Sequence, residues 1–183
     1  MWKYTEYNAY NEISLHDCRA SAITLHGSDV VFDFPDGFWL TPISNYNHSS
    51  EPVKTGQSQL CFRGVFAEVP FDAIDIYKTM RIFGKSILCR RCQPESSNFL
   101  KVFQNERYEL EFITEYHAPI SSLYQCWMWR KNSDVYRECQ FEITADSIEY
   151  RWNDIHNYTS VYMILCNNTW LHNDLETVTV EPV

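Results

Sequence analysis

Apolar and polar residues alternate in short runs along most of the chain, the two-residue period that sends successive side chains to opposite faces of a β-strand. The stretch Leu15 to Leu40, LHDCRASAITLHGSDVVFDFPDGFWL, holds three such runs separated by two turn signals and reads as a β-meander. Gly27-Ser28 suits a two-residue type II′ loop, because glycine takes positive φ at the first central position, and Pro35-Asp36-Gly37 forms the second turn. Pairing across Gly27-Ser28 sets Leu25 opposite Val30, Ile23 opposite Phe32 and Ser21 opposite Phe34 on an apolar face. His26, Asp29 and Asp33 fall on the other face, so the hairpin must lie with one side on a core.

The same logic gives a second hairpin across Ala145-Asp146, with Ile143 facing Ile148, Phe141 facing Tyr150 and Cys139 facing Trp152, and with Glu138, Glu142 and Glu149 outside. Leu123 to Arg130 is a strand whose register alternation leaves open, since either parity puts large side chains inside; if the loop is Asn132-Ser133, Cys126 faces Cys139. Gln59 to Val69 and Tyr108 to Tyr116 also read as strands; Ile74 to Ile87 alternates poorly and is assigned to strand rather than helix. Ser96-Ser97 supply a cap ahead of Phe99, Leu100 and Phe103, which predicts one short helix near 97–105. Ser44 to Gln57 is a long polar surface loop, and after Asn153 only Ser160 to Cys166 and Glu176 to Val180 fit strands. The expected fold is a single mainly β domain over residues 1–183: an antiparallel up-and-down meander forming a curved sheet or partly closed barrel, with one short helix.

Charge narrows the partners. Fifteen Lys and Arg against 24 Asp and Glu give a net charge of −9 over 183 residues, which opposes a phosphate backbone and argues against nucleic acid, while it steers a basic protein inward. No apolar run approaches the length of a membrane span and the start lacks a secretory pattern, so a cytoplasmic protein with no membrane partner is expected. Seven cysteines, an odd number, then read as buried or spare thiols rather than a disulfide framework. With only five glycines and no phosphate-cradling loop, no cofactor is expected.

Three groups of residues offer chemistry. His16, Asp17 and Cys18 are the residue types of a thiol nucleophile and its base, and a hydrolase reading needs His16 and Cys18 to converge with Asp36 in a closed pocket. On a strand, however, His16 and Cys18 lie roughly 7 Å apart with Asp17 on the other face, so the favoured reading is Cys18 packed inward. Cys89 and Cys92 have the spacing of half a zinc knuckle; without a second pair, no metal site is expected. Aromatic residues in strands are first a packing signal, most of them core and a few interface; Trp127 and Trp129, on one strand face beside Tyr136, are the candidate docking surface.

Ile13-Ser14-Leu15-His16-Asp17-Cys18, followed by Ile23 and the Val30 to Phe34 strand, resembles the opening of a class of small bacterial (Firmicutes-type) β proteins that begin with an LHD strand and a hairpin. Some of these are immunity proteins of polymorphic toxin systems. The resemblance implies an intracellular bacterial β protein and carries over no catalytic residue. The resulting expectation is a non-catalytic binding or inhibitory, immunity-like module that meets a basic protein such as a toxin through Trp127, Trp129, Tyr136, Glu138, Glu142 and Glu149. The alternatives are a small hydrolase or transferase using Cys18 and His16, or a small-ligand β-barrel.

Overall fold

The computed structural model describes residues 1–82, 85–105 and 107–156, with backbone only between 79 and 90. These residues form β1 (Tyr4–Tyr7), β2 (Ile13–Ser14), β3 (Cys18–Ala20), β4 (Ala22–His26), β5 (Asp29–Phe34), β6 (Trp39–Leu40), β7 (Val53–Thr55), β8 (Ser58–Arg63), β9 (Ala73–Ile82), β10 (Lys85–Cys92), α1 (Ser96–Gln104), β11 (Tyr108–His117), β12 (Ser121–Arg130), β13 (Tyr136–Thr144), β14 (Ser147–Trp152) and β15 (Ile155–His156). The protein is therefore mainly β, antiparallel throughout the described pairings, with one short helix.

The strands sort into three open sheets, ordered β1-β14-β8-β5-β4, β10-β9-β13-β12-β11-β3 and β15-β7-β6-β2, and none closes into a barrel. The five- and six-stranded sheets face each other across an aromatic core. Phe32 of β5 stacks on Phe141 of β13 at 5.6 Å and meets Phe112 of β11 edge-on at 5.8 Å, while Phe62 of β8 meets Tyr124 of β12 at 5.7 Å. Such offset and edge-to-face contacts add to the burial of large apolar area. The small third sheet lies at one end, where Phe38 touches Tyr150 and Trp152. Helix α1 buries Phe99, Leu100 and Phe103 and starts at Glu95 without a side-chain cap; Ser96 instead donates to the Phe71 carbonyl.

The first hairpin has the expected register, Leu25 opposite Val30 and Ile23 opposite Phe32, with Gly27 at φ 63°. The third run of the expected meander does not follow it. Pro35-Asp36-Gly37 hands the chain to another sheet, where Trp39–Leu40 pairs with β2 and β7, and β5 takes β8 as its second neighbour. A larger correction concerns Ala145-Asp146, which is a corner and not a hairpin. Strand β13 pairs with β12 and β9, whereas β14 pairs with β8 and β1 in the opposite sheet. The corner amides of Ala145 and Asp146 are spent on the Ile120 and Arg63 carbonyls.

Smaller departures have equally local causes. Within 74–87 the described residues fall in β9 and β10, which pair antiparallel, and a register shift between Ser86 and Leu88 breaks the alternation there. Gly64, at φ 71°, ends β8 well before Val69. The polar loop from Ser44 contains β7, pegged by Asn47, whose amide donates to the carbonyls of Leu40, Thr41 and Glu51. The strands expected at Ser160 to Cys166 and Glu176 to Val180 lie outside the described residues.

Candidate functional site

The thiol candidates do not assemble. Residues 15–18 form a turn and not a strand, with Cys18 N–H donating to Leu15 O and Asp17 at φ 57°. The His16 ring is exposed, bonded at Nδ1 to the Ile113 carbonyl (2.7 Å) and 3.5 Å from Asp17. Cys18 is wholly buried, its sulfur near the Ser14 and His16 carbonyls, and burial pushes its thiol up to about 12. Asp36 sits exposed in its turn and makes no hydrogen bond or ion pair among the described residues. A nucleophile needs the thiolate, and Cys18 lacks both the proton acceptor and the solvation to form one.

Burial raises the other core thiols in the same sense: Cys61 to about 11, Cys139 to about 12, and Cys126 well above the ordinary value. Iodoacetamide at pH 8 is therefore expected to modify Cys92 and to spare Cys18, Cys61, Cys126 and Cys139 until denaturant is added, as peptide mass spectrometry will report. Because these groups hold their protons more tightly folded than unfolded, their contribution to stability is intact below about pH 9. It is lost as pH rises through 11 to 12, so the melting temperature falls over that window. Rapid alkylation of Cys18 in the native protein would restore the thiol reading. Cys89 and Cys92 lie along the extended strand β10, paired with Thr79 and Ile76, without the turn a zinc knuckle requires. Among the described residues no three His, Cys, Asp or Glu converge as a metal site.

The aromatic residues do assemble. Cross-strand register puts Trp129 opposite Tyr136 and Trp127 opposite Glu138 on the outward face of the six-stranded sheet. Ring centroids lie 4.8 Å apart for Trp129–Tyr136, 4.9 Å for Trp127–Tyr136 and 6.1 Å for the two tryptophans. Arg19, from the neighbouring edge strand β3, lays its guanidinium 4.8 Å above Trp129 and pairs with Glu111 at 3.0 Å. Glu138 is exposed and unpaired among the described residues. Glu142 lies further along the same face and accepts from Ser121 Oγ at 2.7 Å.

Glu149 belongs elsewhere. It is buried on the outside of the five-stranded sheet, held by Arg63 Nε at 2.6 Å and by Arg151 Nε and Nη2 at 2.8 and 2.7 Å, with Asp29 also bound to Arg63. A carboxylate shared by two guanidiniums is an internal brace and not a contact for a partner. Arg19, absent from the sequence reading, joins the aromatic face only because β3 pairs with β11. A concavity of about 450 Å³ opens among Tyr4, Tyr46, Asn47, His48 and Val53, large enough for a small ligand. Two of its polar groups are already engaged, Tyr46 donating to Glu6 and Asn47 to three carbonyls. No protein-family model, curated protein or solved structure matches the chain. Among the described residues no helix is long and apolar enough to cross a membrane.

Proposed function

We propose that the protein is a binding module of the inhibitory, immunity-like kind, and that it docks a basic segment of a partner protein on the outward face of its six-stranded sheet. The observation that carries this is the packed Trp127–Trp129–Tyr136 cluster on the side of the sheet away from the core, where no filling of the interior accounts for three large rings. Interfaces concentrate their affinity in such aromatic anchors. Arg19 on Trp129 supports the choice of partner chemistry, since the face already holds one guanidinium by cation–π stacking and leaves Glu138 free for another cation. The net charge of −9 speeds the encounter with a basic partner and disfavours nucleic acid.

Titration with an arginine-rich peptide, followed by tryptophan fluorescence, is expected to give a saturable change that weakens with salt. Trp127→Ala and Glu138→Lys should each raise the Kd about ten-fold, with a stability loss of about 1–2 kcal/mol for the half-buried Trp127 and under about 0.5 kcal/mol for the exposed Glu138. Glu149→Lys, by contrast, breaks the brace to Arg63 and Arg151 and should cost about 3 kcal/mol or more of stability. Equal binding of a glutamate-rich control peptide, or indifference to both face substitutions, would sink the proposal.

A further inference from the structure

We infer that the turn end of the β11–β12 hairpin carries a serine nucleophile, Ser122, with His117 as its base and Glu115 as the group that orients the base, fit to accept an acyl group from a small ester. Ala118 N–H donates to Ser121 O at 2.8 Å, and the tight turn through Pro119 and Ile120 sets His117 and Ser122 directly opposite each other. Ser122 Oγ lies 2.9 Å from His117 Nδ1, and His117 Nε2 lies 3.3 Å from Glu115 Oε2. The hydroxyl donating to Nδ1 leaves the ring proton on Nε2, where it donates to the carboxylate, the tautomer a general base requires. Glu115 is itself fixed, accepting the Leu15 N–H at Oε1 (3.2 Å). The imidazole is clamped between the Tyr10 ring, stacked at 4.4 Å and 17°, and the edge of Tyr124 at 5.8 Å.

Two further features fit a reacting centre. Tyr124 and Tyr150 are wholly buried; the Tyr150 hydroxyl has no hydrogen-bond partner among the described residues, and the Tyr124 hydroxyl lies against that of Ser122. A phenol hydroxyl held against the nucleophile is placed to donate to an oxyanion formed there during reaction. Burial pushes both phenols well up, so they remain donors. A cleft bordered by Asn8, Tyr10, Pro119, Ile120 and Ser147 opens on Ser122 and encloses about 20 Å³. That volume admits one water or one carbonyl group, so the acyl chain must be short and the leaving group must lie outside, against the exposed Ile120.

In the acylation step Ser122 Oγ attacks the ester carbonyl as its proton passes to His117 Nδ1. The carbonyl carbon gains the serine oxygen, the bond to the leaving alkoxide breaks, and the imidazolium returns the proton to give the alcohol. Water enters by the same route and cleaves the acyl-serine to the carboxylic acid and free hydroxyl. The sum is ester plus water to acid plus alcohol, with no redox change. Ser122 and Trp127 are five residues apart on β12, about 17 Å, and face opposite sides of the sheet, so this centre stands or falls independently of the docking face.

Methanesulfonyl fluoride, small enough for the cleft, incubated with the full chain is expected to form one adduct, located on Ser122 by peptide mass spectrometry, with fluoride as the leaving group. Ser122→Ala should give no adduct, and His117→Gln, which cannot take the proton, should label about 100-fold more slowly. Hydrolysis of p-nitrophenyl acetate should fall in both variants, with far-UV circular dichroism confirming their fold, and should cease in parent protein carrying the adduct. The mapping on the parent needs no variant: absence of an adduct, or an adduct on another residue, overturns the inference. Hydrolysis undiminished in a folded Ser122→Ala protein does so as well.

Discussion

Gly37→Ala is expected to cost about 3 kcal/mol or more, enough to leave a small domain partly unfolded. Gly37 has φ 72°, and a methyl at its Cα would sit 2.2 Å from the Thr55 carbonyl oxygen, 2.4 Å from that of Gly56 and 2.5 Å from Thr55 Oγ1. None of these atoms is free to move. Thr55 N–H donates to the Phe38 carbonyl, and Thr55 Oγ1 bonds Phe38 N–H and Ser58 Oγ, tying the turn to the third sheet. Gly27→Ala is the internal comparison, since Gly27 also has positive φ (63°) but open space around it, and should lose only about 1 kcal/mol. Urea denaturation of the two variants separates backbone conformation from collision. Equal losses would show that the approach of Thr55 does not govern the turn.

Phe141→Ala is expected to cost about 3–5 kcal/mol, because the side chain is the hub at which both sheets and the helix meet. Its ring stacks on Tyr124 at 5.0 Å and on Phe32 at 5.6 Å, and lies edge-on to Phe71 at 5.4 Å and near Phe99 at 6.4 Å. Truncation leaves those four rings facing a void that rigid neighbours cannot close. Phe141→Leu, which keeps most of the volume, should lose less than half as much. Tyr136→Ala, on the exposed aromatic face, removes ring contacts with little burial and should stay near 1 kcal/mol. A Phe141→Ala protein with an unchanged denaturation midpoint would contradict the placement of this ring.

The sites were unequally legible. Trp127 and Trp129 share a face by alternation alone, but either parity of that strand is open in the sequence; the structure takes the register of a loop at Asn132-Ser133, which sets Cys126 opposite Cys139 and Trp129 opposite Tyr136. A similar signal, the Pro119-containing turn, stood between His117 and Ser122, yet their contact depends on which face of the hairpin meets Tyr10 and Tyr124. Glu149 was placed outside correctly by alternation, but its burial comes from Arg63 and Arg151, and Arg63 lies on a strand 86 residues away.

What the sequence determines by itself is the local layer: mostly antiparallel strands, one short amphipathic helix, the β4–β5 hairpin with Gly27 at its tip, and the identity of the inward side chains. Alternation dictates these because a strand with one apolar face must bury it whatever lies beyond. Only the tertiary structure decides which strands pair. Cys139, Phe141 and Ile143 on one side of Ala145-Asp146, and Ile148, Tyr150 and Trp152 on the other, satisfy the same inward requirement as a hairpin in one sheet or as strands of two facing sheets. The choice falls to the sandwich because β8, buried on nearly its whole length, needs β5 and β14 as neighbours to bond its backbone. Pairing is thus set by long-range competition for backbone partners around a shared aromatic core, a quantity no local pattern contains.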